Sequence, residues 1–114
     1  MTRGDLVIVD FRPVNPNAGV RPALVVQNDR DNARMGNTVV VQVTSNVRRA
    51  VELTQILIDP AHPDWSLSGL QRPSVVNRST IYTIEQADMT KTVGRLSPTT
   101  MEQVAECLRT VLEL

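Results

Sequence analysis

The sequence predicts a mainly β protein with helices, of the α+β class: a strongly curved, antiparallel or mixed sheet with a helix at its C-terminus. Two observations predict this class. Short β-branched runs separated by turn-rich segments fill most of the chain, and helical periodicity dominates only after residue 97. Strands that come first and a helix that comes last disfavour alternating βαβ units. With 114 residues, we expect one domain spanning 1–114.

The predicted strands are apolar runs bounded by glycine, proline or asparagine. The strongest signal is Thr38–Thr44, because all but one of its residues are β-branched. The full set is Leu6–Phe11, Ala23–Gln27, Thr38–Thr44, Glu52–Ile58, Ser74–Asn77 and Ile81–Ile84, with Thr92–Leu96 as a further candidate.

Three connecting segments carry turn residues. Arg12–Pro22 contains three prolines and is predicted to be a loop. Asn28 begins a run of capping residues that could open a short helix through Met35. Asp59–Pro73 is long and irregular, which is typical of a functional or mobile loop.

The C-terminal helix has a clear start. Ser97 is a suitable N-cap, and Pro98 suits the first helical position because the missing N–H is not needed there. Apolar residues then recur at helical spacing, which predicts an amphipathic helix to the end of the chain. They are Met101, Val104, Ala105, Leu108, Val111 and Leu112.

Composition limits the classes of function. Twelve basic and twelve acidic residues give zero net charge, so a whole-molecule basic field is absent, although a local patch remains possible. Eleven of the basic residues are arginine, which suits phosphate binding but equally fits a codon preference. Cys107 is the only cysteine, which excludes an internal disulfide. Without a signal peptide or an apolar stretch of about 20 residues, we expect a cytoplasmic protein with no membrane contact.

The sequence lacks the motifs of P-loop proteins, dinucleotide-binding enzymes, zinc proteases and serine hydrolases. His62 is the only histidine, so one protomer cannot form a two-histidine acid–base pair. His62 lies among prolines and is more typical of a surface side chain. No spacing suits metal ligands, so we expect neither a metal nor a cofactor.

Three blocks occur in order along the first half of the chain. They read RGDL at 3–6, GVRPALVVQND at 19–29 and VVVQVTSN at 39–46. This pattern closely resembles the MazF/PemK (Kid) toxin family, which reads R-G-[DE]-[IV], then G-x-R-P-A-L-V-[IV]-x-N-D, then a β-branched strand ending in T-S. The resemblance runs nearly end to end, because later strand residues and the C-terminal helix also fall in family order.

The resemblance implies a small curved antiparallel sheet or SH3-like barrel with a C-terminal helix, as in PemK and CcdB, assembled as a homodimer. It also implies an endoribonuclease toxin that cuts single-stranded RNA without a metal and is held silent by a cognate antitoxin. The two residues that match the recurrent catalytic positions are Arg21 and Thr44.

These residue types suit metal-free RNA cleavage, in which the ribose 2′-OH attacks the adjacent phosphorus and leaves 2′,3′-cyclic phosphate and 5′-OH ends. Arg21 would stabilise charge on the phosphate oxygens, and the Thr44 hydroxyl would donate a further hydrogen bond. Guanidinium is a poor general base, so the base stays unassigned. Without the resemblance, both residues are typical of ordinary strand ends.

RNA selection is expected from the loops around that pair, with the Arg12–Val20 loop, Ser45-Asn46 and Arg48-Arg49 as the candidates. Arg48 with Arg49 equally fits a solvated turn, and Trp65 is more typical of packing under its loop than of base stacking. The predicted RNA-binding residues are Arg12, Asn17, Gly19, Ser45, Asn46, Arg48 and Ser79.

The chain departs from the family in one segment. Many relatives carry an acidic residue and a glutamine shortly before R-T-I, whereas Ser79, Thr80 and Tyr82 stand at the acid, glutamine and arginine positions here. In one branch of the family an acidic residue near this position takes part in catalysis. Its absence here favours the branch that relies on arginine and threonine, or else an altered RNA preference. Two alternatives stay open: a gyrase-binding CcdB-like toxin, disfavoured because 110–114 lacks tryptophan, and an inactive relative that only binds antitoxin.

Overall fold

The computed structural model describes residues 1–48 and 55–114. Arg49 and the first residues of the predicted strand Glu52–Ile58 lie outside the described residues. In chain order the elements are β1 (Asp5–Asp10), β2 (Val20–Val25), α1 (Asp29–Arg34), β3 (Asn37–Thr44), β4 (Gln55–Ile58), α2 (Trp65–Ser68), β5 (Ser74–Glu85), β6 (Met89–Arg95) and α3 (Pro98–Leu112), with a 3-10 turn at Gln86–Asp88.

All strands belong to one antiparallel sheet in the order β4-β5-β3-β2-β1-β6. Irregular pairing between β1 and β6, and between β3 and β5, bends the strands. Within residues 1–48 and 55–114 the two edge strands, β4 and β6, do not pair, so this part of the sheet is open rather than a closed barrel. The predicted antiparallel sheet and C-terminal helix are confirmed.

Ser74–Asn77 and Ile81–Ile84, predicted as two strands, are parts of the single twelve-residue strand β5, so that prediction was wrong. The pairing with β3 explains the apparent break. Val41 lies opposite Ile81, but the next residue, Gln42, lies opposite Asn77, so residues 78–80 bulge out of the ladder. Their polar sequence interrupts the apolar pattern without ending the strand.

Other predicted boundaries also move. β2 starts at Val20 and β6 at Met89, each earlier than predicted, because β1 supplies backbone partners for their first residues. The Arg12–Pro22 loop is correspondingly shorter. The segment Asp59–Pro73, predicted to be irregular, contains the short helix α2.

The core has two parts because successive strand residues point to opposite faces of the sheet. Leu6 belongs to the cluster beneath α3, which includes Met101 and Val104 of that helix, with Trp65 packed against it. Val7 belongs to the second cluster, which includes Phe11 and Ala18 of the β1–β2 connection. The position of Trp65 confirms the packing role predicted for it.

The start of α3 is fixed by a buried carboxylate. The Ser97 side chain caps the helix by accepting a hydrogen bond from the Thr100 N–H at 3.3 Å. Ser97 also donates to Asp64 Oδ2 through its N–H at 2.9 Å and its hydroxyl at 3.0 Å. Burial opposes ionisation of Asp64, but hydrogen bonds from Thr100 and Ser97 outweigh it and hold the pKa of Asp64 below its usual range.

His62, the sole histidine, is half-buried, and its Nδ1 accepts a hydrogen bond from the Asp64 N–H at 2.9 Å.

None of the helices in the described ranges has the length and apolarity needed to cross a membrane.

Candidate active site

Arg21 and Thr44 lie at the same end of two neighbouring strands. β2 pairs with β3 so that Ala23 is opposite Gln42. Arg21 and Thr44 each lie two residues beyond that pair, and alternate residues of a strand share a face. The two side chains therefore meet at the point where the β2–β3 pairing ends, and both line the same two clefts.

The two clefts adjoin along Arg21, Thr44 and Ser45, which line both of them. We call the first, of about 350 Å³, the basic cleft, because Arg72 and Lys91 also line it. The second, of about 610 Å³, we call the amide cleft. Its defining side chains are Asn15, Asn17, Gln42, Asn46 and Tyr82.

The described residues that line the two clefts carry positive charge only. The cations are Arg21, Arg72 and Lys91, and no described residue that lines either cleft is acidic. Among residues 1–48 and 55–114, no carboxylate forms a salt bridge with any of the three. A chain of zero net charge thus concentrates cations here, which favours an anionic ligand such as a phosphodiester.

The Arg21 side chain is held by the β1–β2 connection. Its Nε–H donates to the Ala18 carbonyl at 2.7 Å, which orients the guanidinium and leaves its terminal N–H groups for a ligand. Thr44 Oγ1 accepts a hydrogen bond from the Asn46 N–H at 3.2 Å. The hydroxyl proton of Thr44 therefore remains able to donate. Both groups present donors to one region.

The amide cleft has a fixed wall. Asn15 Nδ2 donates to the Tyr82 hydroxyl at 3.2 Å, across 67 residues of sequence. The Tyr82 ring packs on buried Phe11, with centroids 4.9 Å apart and planes tilted by 46°. Asn15 Oδ1 also accepts from the Asn17 N–H at 3.2 Å. These contacts hold Tyr82 and Asn15 in place before any ligand binds.

Residues 2–112 match the family described as PemK-like, MazF-like toxins of type II toxin–antitoxin systems. The chain belongs to this family. It is 32% identical to Endoribonuclease EndoA of Bacillus subtilis (strain 168), over 98% of this chain and 94% of the relative. It is also 32% identical to Endoribonuclease MazF6 of Mycobacterium tuberculosis (strain H37Rv), over 100% of this chain and 98% of that protein.

Solved structures agree with the MazF-like fold. An endoribonuclease in complex with its cognate antitoxin from a mycobacterial species superposes with a TM-score of 0.80 at 24% identity, covering 100% of this chain and 96% of that chain. MazF from Deinococcus radiodurans superposes with a TM-score of 0.78 at 21% identity, covering 100% and 97% of the two chains. These similarities confirm the predicted PemK-like fold.

In this MazF-like chain the structure brings five of the predicted site residues together. Arg21, Thr44, Asn17, Ser45 and Asn46 all line the clefts. Among the four other predicted residues, Gly19 shapes the β1–β2 connection: its φ of 70° lies in the left-handed region that favours glycine, and its carbonyl accepts from the Phe11 N–H at 2.9 Å.

The other three predicted RNA-binding residues line neither cleft. Arg12 forms two 2.8 Å hydrogen bonds with Asp10, which lower the pKa of Asp10 to about 2. Arg48 is exposed, and its N–H donates to Asn46 Oδ1 at 3.4 Å. Ser79 lies in the β5 bulge, where its hydroxyl donates to Asn77 Oδ1 at 2.7 Å.

Several polar or charged lining residues of the MazF-like site were not individually predicted for it from the sequence, although Asn15 lies in the Arg12–Val20 loop named as a candidate. Gln42 did leave a signal, because it is the only residue of Thr38–Thr44 that is not β-branched. No sequence signal indicated that Asn15 and Tyr82 form a pair, since the fold alone brings them together. Arg72 and Lys91 come from the segment before β5 and from edge strand β6, which sequence reasoning did not connect with the site.

Proposed function

We propose that this chain is a sequence-selective endoribonuclease toxin of a toxin–antitoxin system, which cleaves single-stranded RNA without a metal ion. The observation that carries the proposal is the meeting of Arg21 and Thr44 at the junction of two clefts in which every charged lining residue that the structure describes is a cation. Relatives that match nearly the whole chain bear the name endoribonuclease, which supports the same activity.

The proposed reaction uses the RNA as its own nucleophile. The ribose 2′-oxygen attacks the adjacent phosphorus and loses its proton, the bond from phosphorus to the 5′-oxygen breaks, and that oxygen takes up a proton. Arg21 stabilises the charge that builds on the non-bridging oxygens, and the Thr44 hydroxyl donates to the same group. The products carry 2′,3′-cyclic phosphate and 5′-OH ends. The lining residues described here include no carboxylate or imidazole, so no general base is assigned.

The basic cleft is proposed to hold the RNA backbone beside the cleaved bond. Arg72 and Lys91 face the same space as Arg21, and each can bind a phosphate. Ser45, Asn17 and Asn46 are proposed to contact the RNA within the clefts. Roles for Arg12, Gly19, Arg48 and Ser79 in RNA binding stay predictions, and since none of the four lines either cleft, direct contacts would require RNA that extends beyond the clefts.

The assembly and partners are also proposals. Solved structures of two similar proteins contain an antitoxin or MazE bound to the toxin, which supports a cognate antitoxin for this chain. We infer a homodimer from the family resemblance, with residues 1–114 acting as one toxin domain in each copy. An RNA substrate and a single cysteine fit a cytoplasmic location.

The test is digestion of a long single-stranded RNA by purified protein in EDTA, with every cut and its end chemistry mapped. We expect recurrent cuts at one short motif, cyclic-phosphate ends, and a loss of about 10²-fold or more on Arg21→Ala, the scale seen when one charge-stabilising donor is removed. Arg95→Ala is the matched control, since Arg95 is exposed and lines neither cleft. It should cut like the wild type.

Two results would contradict the proposal. If folded Arg21→Ala cleaves RNA at the wild-type rate, Arg21 has no part in the mechanism. No cleavage by the folded, antitoxin-free wild type would favour a toxin that acts by binding alone, and a gyrase supercoiling assay would then be the next measurement.

A further inference from the structure

The amide cleft has a different chemistry from its neighbour. Four side-chain amides and one phenol line it, and among the described lining residues its only charge is Arg21, at the edge shared with the basic cleft. Amides and phenols both donate and accept hydrogen bonds. Such a lining suits a neutral ligand with several donors and acceptors on one edge, rather than a phosphate.

One part of the lining is preorganised to donate. The Tyr82 oxygen accepts from Asn15, so its own proton is available to a ligand. Asn15 is oriented at both ends, because its Oδ1 accepts from Asn17 and its Nδ2 donates to Tyr82. One N–H of the Asn15 amide is then left over. Packing on Phe11 fixes the ring that carries the phenol.

A second part of the lining is open. The amide groups of Gln42 and Asn17 form no side-chain hydrogen bond with any residue of 1–48 or 55–114. Gln42 is half-buried in β3, so its amide gains most from a ligand that offers both a donor and an acceptor. Nucleobase edges present such pairs, and asparagine and glutamine bind them in a bidentate manner.

We propose that the amide cleft binds one unstacked nucleobase next to the cleaved phosphate, with Tyr82 and Asn15 as specificity-determining residues. The shared edge of Arg21, Thr44 and Ser45 places this base beside the reacting group. Single-stranded RNA is read in this way, by splaying a base away from its neighbours and bonding its edge. The inference rests on the proposed ribonuclease function.

Tyr82→Phe removes only the phenolic oxygen and keeps the packing on Phe11. Asn15→Ala removes the partner of that oxygen. In EDTA digestion of an RNA pool with a randomised segment, each variant should reduce the preference at one motif position by about two- to tenfold, the scale of one net hydrogen bond. Gln103→Ala, an exposed amide of α3, is the matched control and should keep the wild-type motif.

A merely structural role for Tyr82 and Asn15 would reduce cutting at all sequences equally. Arg72→Ala should show that uniform loss, because a phosphate contact carries no base information. If Tyr82→Phe and Asn15→Ala keep the wild-type preference at every position, the base-binding assignment is overturned.

Binding to a pool of 2′-fluoro RNA separates this inference from the proposed function, because such strands lack the 2′-OH and cannot be cut. If the wild type cleaves RNA and the variants cleave it at the same motif, only the base site is rejected. If the wild type binds RNA base-selectively and Tyr82→Phe weakens that binding, but ordinary RNA is not cleaved, the nuclease function is rejected and the base site is kept. If the protein shows neither cleavage nor base-selective binding, both the base site and the nuclease function are rejected.

Discussion

Arg21 and Thr44 occupy facing positions on β2 and β3, two residues past the Ala23–Gln42 pair at which the backbone ladder ends. Beyond the last pair the strands can separate, so a ligand can reach both side chains. The ladder thus sets the distance between the two groups, while the end of the ladder gives access to them.

Arg21→Lys should keep the charge but lower cleavage by about tenfold or more. Lysine lacks the Nε–H that donates to the Ala18 carbonyl and the planar fork that binds phosphate through two donors. Single-turnover cleavage of a motif-containing RNA measures the effect. A rate equal to that of the wild type would show that positive charge alone suffices.

Thr44→Ser should keep most activity, and Thr44→Val should lose about tenfold or more, because only valine removes the hydroxyl while keeping the β-branched shape. Circular dichroism controls for the fold. Equal activity of Thr44→Val and the wild type would show that the Thr44 hydroxyl has no part in catalysis and serves only to accept the hydrogen bond from Asn46.

Arg72→Ala and Lys91→Ala should each reduce the salt dependence of RNA binding. For single strands the slope of log affinity against log salt changes by about 0.7 for each phosphate that the protein no longer neutralises. Fluorescence anisotropy with non-cleavable RNA over a range of salt concentrations measures this slope. Arg95→Ala, outside the clefts, should leave it unchanged. Equal slopes for all variants would show that the RNA backbone does not bind in the basic cleft.

Asp64→Asn should destabilise the fold by about 1–2 kcal/mol near neutral pH, because the substitution removes a charged acceptor of several hydrogen bonds. The folded-state pKa of Asp64 lies below its ordinary value of 3.8. Its contribution is therefore complete above that value and is lost as the pH falls through the folded-state pKa. The wild type and Asp64→Asn should converge in stability in acid.

Thermal unfolding at a series of pH values checks this prediction. Asp88→Asn serves as the control, since Asp88 forms no side-chain hydrogen bond within the described ranges and should change stability little. A constant difference between the wild type and Asp64→Asn at every pH would contradict the ionised role of Asp64.

Gly69→Ala should destabilise the protein strongly, by about 2 kcal/mol or more, because its Cβ would lie 2.0 Å from the Val93 carbonyl oxygen and its φ is +68°. Gly69 also lines the basic cleft, so RNA binding should weaken as well. Gly36→Ala is the control, with open space around its Cβ and no positive φ. Equal unfolding temperatures for the two variants would contradict the close approach of Gly69 to β6.

Sequence reasoning predicted α3 and most strands, because capping and periodicity are local signals. It also predicted Arg21 and Thr44 as a pair, through motif blocks that include most of β2 and β3. It did not find the Asn15–Tyr82 hydrogen bond, which exists only because distant segments meet in the fold. The β5 bulge was misread as a gap, since its polar residues look like a turn until their partners on β3 are known.

The carbonyl of Ala18 has a consequence for how such a toxin can diverge. The short connection that orients Arg21 through Ala18 also carries Asn15 and Asn17 of the amide cleft. A change in the length of this connection is expected to move the Ala18 carbonyl, and with it the Arg21 guanidinium, together with the wall of the amide cleft. Evolution of a new target motif is therefore coupled to turnover, and compensating changes are expected around Arg21 whenever the length of this connection drifts.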